Sequence, residues 1–148
     1  MKIGLSYALE GEIESILKHT QAKRLETAGG VDIYEIEPDI FAFTGGVGKV
    51  NAAMGAQLFI DRYHPDWIVN AGVAGSFLDL PIGTMVLASD FVQHDVDTTA
   101  AGDPIGMVST VNQVVFPTDE AERLGAILTA QGVEHLVGRV ATGDVFMS

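Results

Sequence analysis

Cysteine and positive charge are both scarce in this sequence, and each scarcity excludes a class of function. None of the 148 residues is cysteine, so disulfide bonds, thiolate nucleophiles and thiolate metal sites are excluded. Lysine and arginine together number 8, against 20 aspartates and glutamates, which gives a formal net charge of −12. That charge would repel DNA, RNA and anionic membrane surfaces, so we expect none of them as a partner.

Long hydrophobic runs are missing as well. A membrane-spanning helix needs about 20 mostly apolar residues, and no stretch of the sequence approaches that length. The apolar run at the N-terminus is brief and is interrupted by Glu10 and Glu12, which does not fit a secretory signal peptide. We therefore expect a cytoplasmic protein. The hydrophobic fraction of 47% and the 17 glycines are typical of a globular α/β domain with many tight turns.

Strands and helices alternate along the chain. Short apolar runs between turns predict strands at 2–7, 31–36, 40–44, 67–70, 84–89 and 137–142. Helices are predicted at 11–19, at 49–63 and after Pro117, where Thr118 is the expected N-cap and Gly132 lies near the end. Residues 94–106 are expected to form an irregular excursion. The alternation predicts a three-layer α/β/α fold, and we expect residues 1–148 to form one domain.

Glu12 is the first candidate for a functional residue. It lies in the first turn of a predicted helix, directly after a strand, and ligands collect where strands hand over to helices in open α/β sheets. A carboxylate at that point can hold and orient a water as a general base. Acidic residues in the first turn also simply favour the helix dipole. The spacing alone leaves both interpretations open.

Two turns of small residues follow other predicted strands. The segment 44–49 (TGGVGK) resembles a phosphate-cradling loop at a helix N-terminus. It is not a Walker A loop, because its glycine spacing is too short and Val50 replaces the magnesium-binding hydroxyl. The segment 70–76 (NAGVAGS) offers backbone free of bulky side chains, which a flat ligand needs for close approach. Tight packing between strand and helix explains either turn as well.

A metal site and a serine nucleophile are both poorly supported. His94, Asp95 and Asp97 are ligand types, but no further ligand clusters beside them in the sequence, so we expect no metal and give this segment a loop or interface role. The serines lack a Gly-x-Ser-x-Gly elbow. No cofactor is expected.

Five blocks of the sequence are informative when read together. They are 1–4 with 8–12 (MKIG, ALEGE), 46–53 (GVGKVNAA), 70–75 (NAGVAG), 94–100 (HDVDTTA) and 143–146 (GDVF). In this order and separation they resemble the 5′-methylthioadenosine/S-adenosylhomocysteine nucleosidases of the purine nucleoside phosphorylase-like superfamily. The resemblance implies a phosphorylase/hydrolase-like fold with a mixed central sheet, a homodimer, and a nucleoside substrate.

The implied activity is hydrolysis of an N-glycosidic bond with release of adenine, a step of methionine salvage. By resemblance, Glu12 matches the residue that activates the attacking water. Phosphorylases of the superfamily bring arginines to the phosphate, one of them in the first loop. Here that loop is the acidic segment 8–12, which would repel phosphate and suits a water.

The resemblance also assigns positions to the substrate. Val47 matches an apolar contact lining the pocket, and Ala74 with Gly75 matches a backbone platform beside the nucleoside. Phe146 matches the ring that stacks on the base, and Met147 matches the residue whose backbone reads the adenine edge. A stacked ring with backbone hydrogen bonds is physically sufficient to select a flat purine.

The sequence departs from the family pattern at three places. Ser76 stands where a second glycine is usual, and Ala101 stands where an aromatic residue follows the Thr-Ala pair, so the specificity for the 5′ substituent stays open. The family's ribose-binding Met-Glu pair and the aspartate that protonates the purine have no counterpart in these 148 residues. We therefore expect an incomplete domain, truncated at its C-terminus, that needs the missing segment for full activity. The alternatives are another purine nucleoside hydrolase, such as a futalosine-type enzyme, and a non-catalytic purine-binding or assembly module.

Overall fold

The computed structural model describes residues 1–118 and 120–147. The chain divides into two compact units, Met1–Gly75 and Ser76–Ser148. Each unit contains a mixed sheet and at least one helix, which confirms the α/β class. The expectation that residues 1–148 form a single domain stays a prediction.

The first unit has a five-stranded sheet with two helices. Its elements are β1 (Ile3–Tyr7), α1 (Glu10–His19), β2 (Lys23–Ala28), β3 (Val31–Glu37), β4 (Ile40–Thr44), α2 (Lys49–Tyr63) and β5 (Trp67–Asn70). The strand order is β2-β3-β4-β1-β5. Strand β1 runs parallel to both β4 and β5, whereas β3 runs antiparallel to β2 and β4. The carboxyl ends of β1, β4 and β5 therefore meet at one edge of the sheet.

The core of this unit lies between the sheet and α2. Phe43 of β4 and Phe59 of α2 are fully buried and stack with ring centroids 4.7 Å apart. Val31 and Ile33 of β3 are fully buried in the same cluster. Strand β1 crosses this cluster at Gly4, where a Cβ atom would overlap the Phe59 ring. This close approach between β1 and α2 explains why the buried strand carries a glycine.

The second unit has a three-stranded sheet and one helix. Its elements are β6 (Met85–Gln93), β7 (Val115–Pro117), α3 (Ala121–Ala130) and β8 (His135–Thr142), with the strand order β7-β6-β8. Strands β6 and β8 are parallel and end together, with Gln93 paired to Thr142. Between β6 and β7 the chain is largely irregular, with one short 3-10 turn at Thr99–Ala101, which confirms the predicted excursion.

Two predictions about local structure need correction. Helix α3 begins at Ala121 with Glu120 as its N-cap residue, so the expected N-cap at Thr118 is wrong. Strands β2 and β7 had not been predicted. In the part of the chain that the structure describes, no helix is long and apolar enough to cross a membrane.

Candidate active site

The candidate site lies at the carboxyl edge of the first sheet, where loops leave three parallel strands. The Gly45 N–H donates to the carbonyl oxygen of Tyr7 at 3.1 Å, and the Ala71 N–H donates to that of Ser6 at 3.2 Å. These bonds extend the parallel pairing beyond the strand ends. They bring the loops after β4 and β5 beside the turn that leads from β1 into α1.

Glu12 is held at this edge by backbone donors from two loops. Its Oε2 accepts hydrogen bonds from the N–H groups of Ala8 and Leu9, both at 2.9 Å. Its Oε1 accepts one from the Val73 N–H at 3.1 Å, a contact that spans 61 residues of sequence. The carboxylate therefore caps the start of α1 and also reaches the loop after β5. The contact with the start of α1 fits the helix-dipole interpretation, and the role of Glu12 as a general base stays a prediction.

Gly72 permits this contact because it has no side chain. A Cβ atom at Gly72 would lie 2.7 Å from Oε1 of Glu12 and 3.4 Å from its Cδ. Carbon and oxygen atoms cannot approach that closely without displacement. Sequence reasoning weighed the segment 70–76 as a platform for a ligand or a tightly packed turn, and it missed this residue's role in placing Glu12. The only signal was the absence of a side chain at a strand end.

Tyr7 lies under the candidate site with 6% of its surface exposed. Burial raises the pKa of its phenol above the ordinary value, and the negative charge of Glu12 raises that pKa further. Tyr7 therefore stays neutral at physiological pH, and it presents the carboxylate with an uncharged neighbour.

The loop after β4 contains Val47. Gly46 and Gly48 have φ angles of +91° and +99°, which favour glycine. The Asn51 side chain donates from Nδ2 to the Val47 carbonyl at 2.6 Å, and this bond ties the loop to the first turn of α2. A Cβ atom at Gly55 would lie 3.1 Å from Cα of Gly45, so the turn also serves close packing between helix and strand. The Val47 side chain is 49% exposed at the same sheet edge.

The predicted substrate positions fall in both units. The structure brings Glu12 together with the loop that continues into Ala74 and Gly75, and both of these residues are exposed. Phe146 and Met147 belong to the second unit, in the segment that follows β8, and their side chains are 91% and 53% exposed. The proposed roles of these residues toward a substrate stay predictions.

The segment containing Phe146 begins with a turn that contacts the two residues after β6, His94 and Asp95. The Asp144 N–H donates to Oδ2 of Asp95 at 2.7 Å, and the His94 N–H donates to the Thr142 carbonyl at 3.0 Å. Taken alone, His94 and Asp95 were weighed as metal ligands or as residues of a loop or interface. Among residues 1–118 and 120–147, no group of three or more histidine, aspartate or glutamate side chains is arranged to hold a metal ion.

Comparison with known proteins connects this geometry to one superfamily. The family model described as the phosphorylase superfamily matches residues 2–148. The 5′-methylthioadenosine/S-adenosylhomocysteine nucleosidase of Hydrogenovibrio crunogenus is 36% identical over 155 residues, which cover 99% of this chain and 66% of that protein. The corresponding nucleosidase of Geobacillus thermodenitrificans is 36% identical over 160 residues, which cover 100% of this chain and 65% of that protein. The chain thus spans about two thirds of the length of these relatives.

Solved structures show the same similarity. The Helicobacter pylori 5′-methylthioadenosine/S-adenosylhomocysteine nucleosidase with butyl-thio-DADMe-Immucillin-A matches with a TM-score of 0.89 and 26% identity, over 99% of this chain and 66% of that chain. A futalosine hydrolase mutant from the same organism matches with a TM-score of 0.88 and 26% identity, over 100% of this chain and 70% of that chain.

Proposed function

The chain belongs to the phosphorylase superfamily, and on that premise we propose that the protein hydrolyses the N-glycosidic bond of 5′-methylthioadenosine and S-adenosylhomocysteine, releasing adenine. The observation that carries the proposal is the Glu12 carboxylate, fixed by three backbone N–H donors at the carboxyl edge of the sheet. Two relatives named as 5′-methylthioadenosine/S-adenosylhomocysteine nucleosidases are 36% identical to this chain over nearly its whole length.

Glu12 is the proposed general base. Its Oε2 accepts two hydrogen bonds and its Oε1 accepts one from the described residues, so Oε1 keeps an acceptor position for a water. That water attacks the anomeric carbon and transfers a proton to the carboxylate, while the bond to the purine nitrogen breaks. The electron pair of this bond leaves with adenine, which takes up a proton. Positioned acid–base groups of this kind contribute about 10²- to 10⁴-fold to a rate.

Water is the proposed nucleophile in place of phosphate. Glu10 and Glu12 both lie in the first turn of α1, and two carboxylates at this edge would repel a phosphate dianion from the position of the nucleophile. The net charge of −12 adds to that repulsion. Adenine release is therefore expected in buffers free of phosphate.

The roles in purine recognition are proposed residue by residue from the family resemblance. The Phe146 ring is 91% exposed, so its face is open to stack on a flat base. Met147 offers backbone polar groups to the adenine edge. Val47, Ala74 and Gly75 supply an apolar contact and a backbone surface without bulky side chains. A homodimer, a cytoplasmic location and a role in methionine salvage are proposed from the family resemblance alone.

The proposal is tested by adenine release from 5′-methylthioadenosine. The assay has two arms, the 148-residue chain alone and the chain co-expressed with the C-terminal third of the Hydrogenovibrio crunogenus relative. Phosphate-independent release of adenine in either arm supports the proposal. If neither arm releases adenine although the chain is folded by circular dichroism, the proposed activity is wrong.

Futalosine is a second candidate substrate, because the futalosine hydrolase structure matches the chain almost as well as the nucleosidase does. Running both substrates side by side decides between them. A kcat/KM at least tenfold higher for futalosine than for 5′-methylthioadenosine would favour the second candidate.

A further inference from the structure

We propose that Asp95 is a positioning residue for purine recognition, because its carboxylate holds the turn that places Phe146 and Met147. The proposal rests on the proposed function, since it assigns these two residues to the purine. All of the contacts that carry it lie within the second unit.

The first contact is a hydrogen bond to the turn itself. Oδ2 of Asp95 accepts the Asp144 N–H at 2.7 Å, across 49 residues of sequence. A bond from a backbone N–H to a carboxylate is short and about twice as strong as a neutral one. Asp144 lies two residues before Phe146, so this bond fixes the backbone immediately before the proposed stacking ring.

The second contact is steric. A Cβ atom at Gly143 would lie 2.6 Å from Cε1 of His94 and 2.9 Å from Cγ of Asp95. The turn backbone therefore lies directly against both side chains, and only glycine at position 143 permits that approach. Asp95 and Gly143 are both partly buried, whereas Phe146 is exposed.

The third contact is a backbone hydrogen bond that extends the pairing of β6 with β8. The His94 N–H donates to the Thr142 carbonyl at 3.0 Å, which adds one further bond after the last paired residues, Gln93 and Thr142. Two successive residues after β6 thus hold the end of β8 and the turn that follows it, His94 through its backbone N–H and Asp95 through its carboxylate. The exposed Phe146 has little packing of its own, so the turn is the support that the described residues provide for it.

The positioning role predicts a specific effect on purine affinity. Replacing Asp95 with alanine removes the acceptor of the Asp144 N–H, so the segment 144–147 samples orientations that do not present the ring. Affinity then falls in proportion to the fraction of competent conformations. For the loss of one charge-assisted hydrogen bond we expect adenine to bind about tenfold more weakly.

The experiment compares four forms of the chain. They are the wild type, Asp95→Ala, Asp95→Asn, which retains an acceptor oxygen, and the matched control Asp66→Ala. Asp66 also accepts a long-range backbone hydrogen bond at 2.7 Å, from the Lys2 N–H in the first unit. Calorimetry measures the binding of adenine and of 5′-methylthioadenosine, and NMR hydrogen exchange measures protection of the amides at 143–147.

The expected result is faster exchange of the Asp144 amide and about tenfold weaker purine binding in Asp95→Ala, smaller effects in Asp95→Asn, and wild-type binding in Asp66→Ala. Unchanged purine binding in a folded Asp95→Ala chain would overturn the positioning role and leave the proposed function intact. Weaker binding with unchanged exchange at 143–147 would overturn it too, because the effect would not pass through the turn. The same binding is measured in both arms of the adenine-release assay; if the wild type binds neither purine in either arm, the proposed function fails first, and the positioning role fails with it.

Discussion

Gly72→Ala tests whether the loop after β5 positions the proposed base. The added Cβ would lie 2.7 Å from Oε1 of Glu12, so the carboxylate or the loop must move by about 0.7 Å to restore an ordinary contact. The Val73 N–H hydrogen bond, already 3.1 Å long, does not survive that shift. A misplacement of this size costs about 10- to 100-fold in turnover when the group acts on the nucleophile.

The assay is the kcat for adenine release, measured together with KM and with the free energy of unfolding in urea. We expect kcat to fall about 10- to 100-fold, KM to change less than about threefold, and stability to fall by about 1 kcal/mol for the lost hydrogen bond. Gly11→Ala is the matched control, since a Cβ at Gly11 meets no atom within 4 Å and the residue directly precedes Glu12. A Gly72→Ala variant with kcat within twofold of wild type would refute the claim that this loop positions Glu12.

Three further predictions concern the fold and its charges. Phe43→Ala should lower the free energy of unfolding by about 3–5 kcal/mol, because the ring is 1% exposed and stacks on the core; a loss below 1 kcal/mol in urea denaturation would contradict this packing. The Tyr63 hydroxyl donates to Glu26 at 2.9 Å, and burial with this bond raises the pKa of Tyr63 to about 12. The resulting stabilisation should be complete below pH 10 and disappear as the pH rises towards 12, which ultraviolet titration and pH-dependent melting can check against Tyr63→Phe. Arg139→Met should leave the urea unfolding midpoint close to that of the wild type, because the arginine is 56% exposed in its ion pair with Asp90 and water screens the attraction; a clear fall in the midpoint would contradict this weak contribution.

Local sequence patterns predicted those elements that have a clear hydrophobic period or a turn signal. Strand β2 was missed because Lys23–Ala28 is polar and mostly exposed, with Leu25 as its one large apolar residue. It exists because the Gly29–Gly30 turn, with φ angles of +59° and +82°, folds it back on β3. Strand β7 has three residues and ends at Pro117, too short a segment for any period to be visible.

At the candidate site, some contacts of Glu12 follow from neighbouring residues in the sequence, and others depend on how distant strands pair. The position of Glu12 in the first turn of α1 follows from neighbouring residues, and so does its bond to the Leu9 N–H. Its bond to Val73 follows from the parallel register of β1 and β5, in which Ser6 pairs with Asn70. Such a register is set by the packed sheet and not by any short segment of sequence. The Asp95 contact with Asp144 depends on strand register in the same way.

The central claim is that Glu12 activates a water that cleaves the bond to adenine. The most direct measurement is the turnover of 5′-methylthioadenosine in phosphate-free, ¹⁸O-labelled water by wild type and Glu12→Gln, in the form of the protein that releases adenine. We expect one ¹⁸O atom in the sugar product, a loss of at least about 100-fold in kcat for Glu12→Gln, and adenine binding within about threefold of wild type. Turnover by Glu12→Gln at the wild-type rate, or release that requires phosphate, would show that Glu12 does not activate a water.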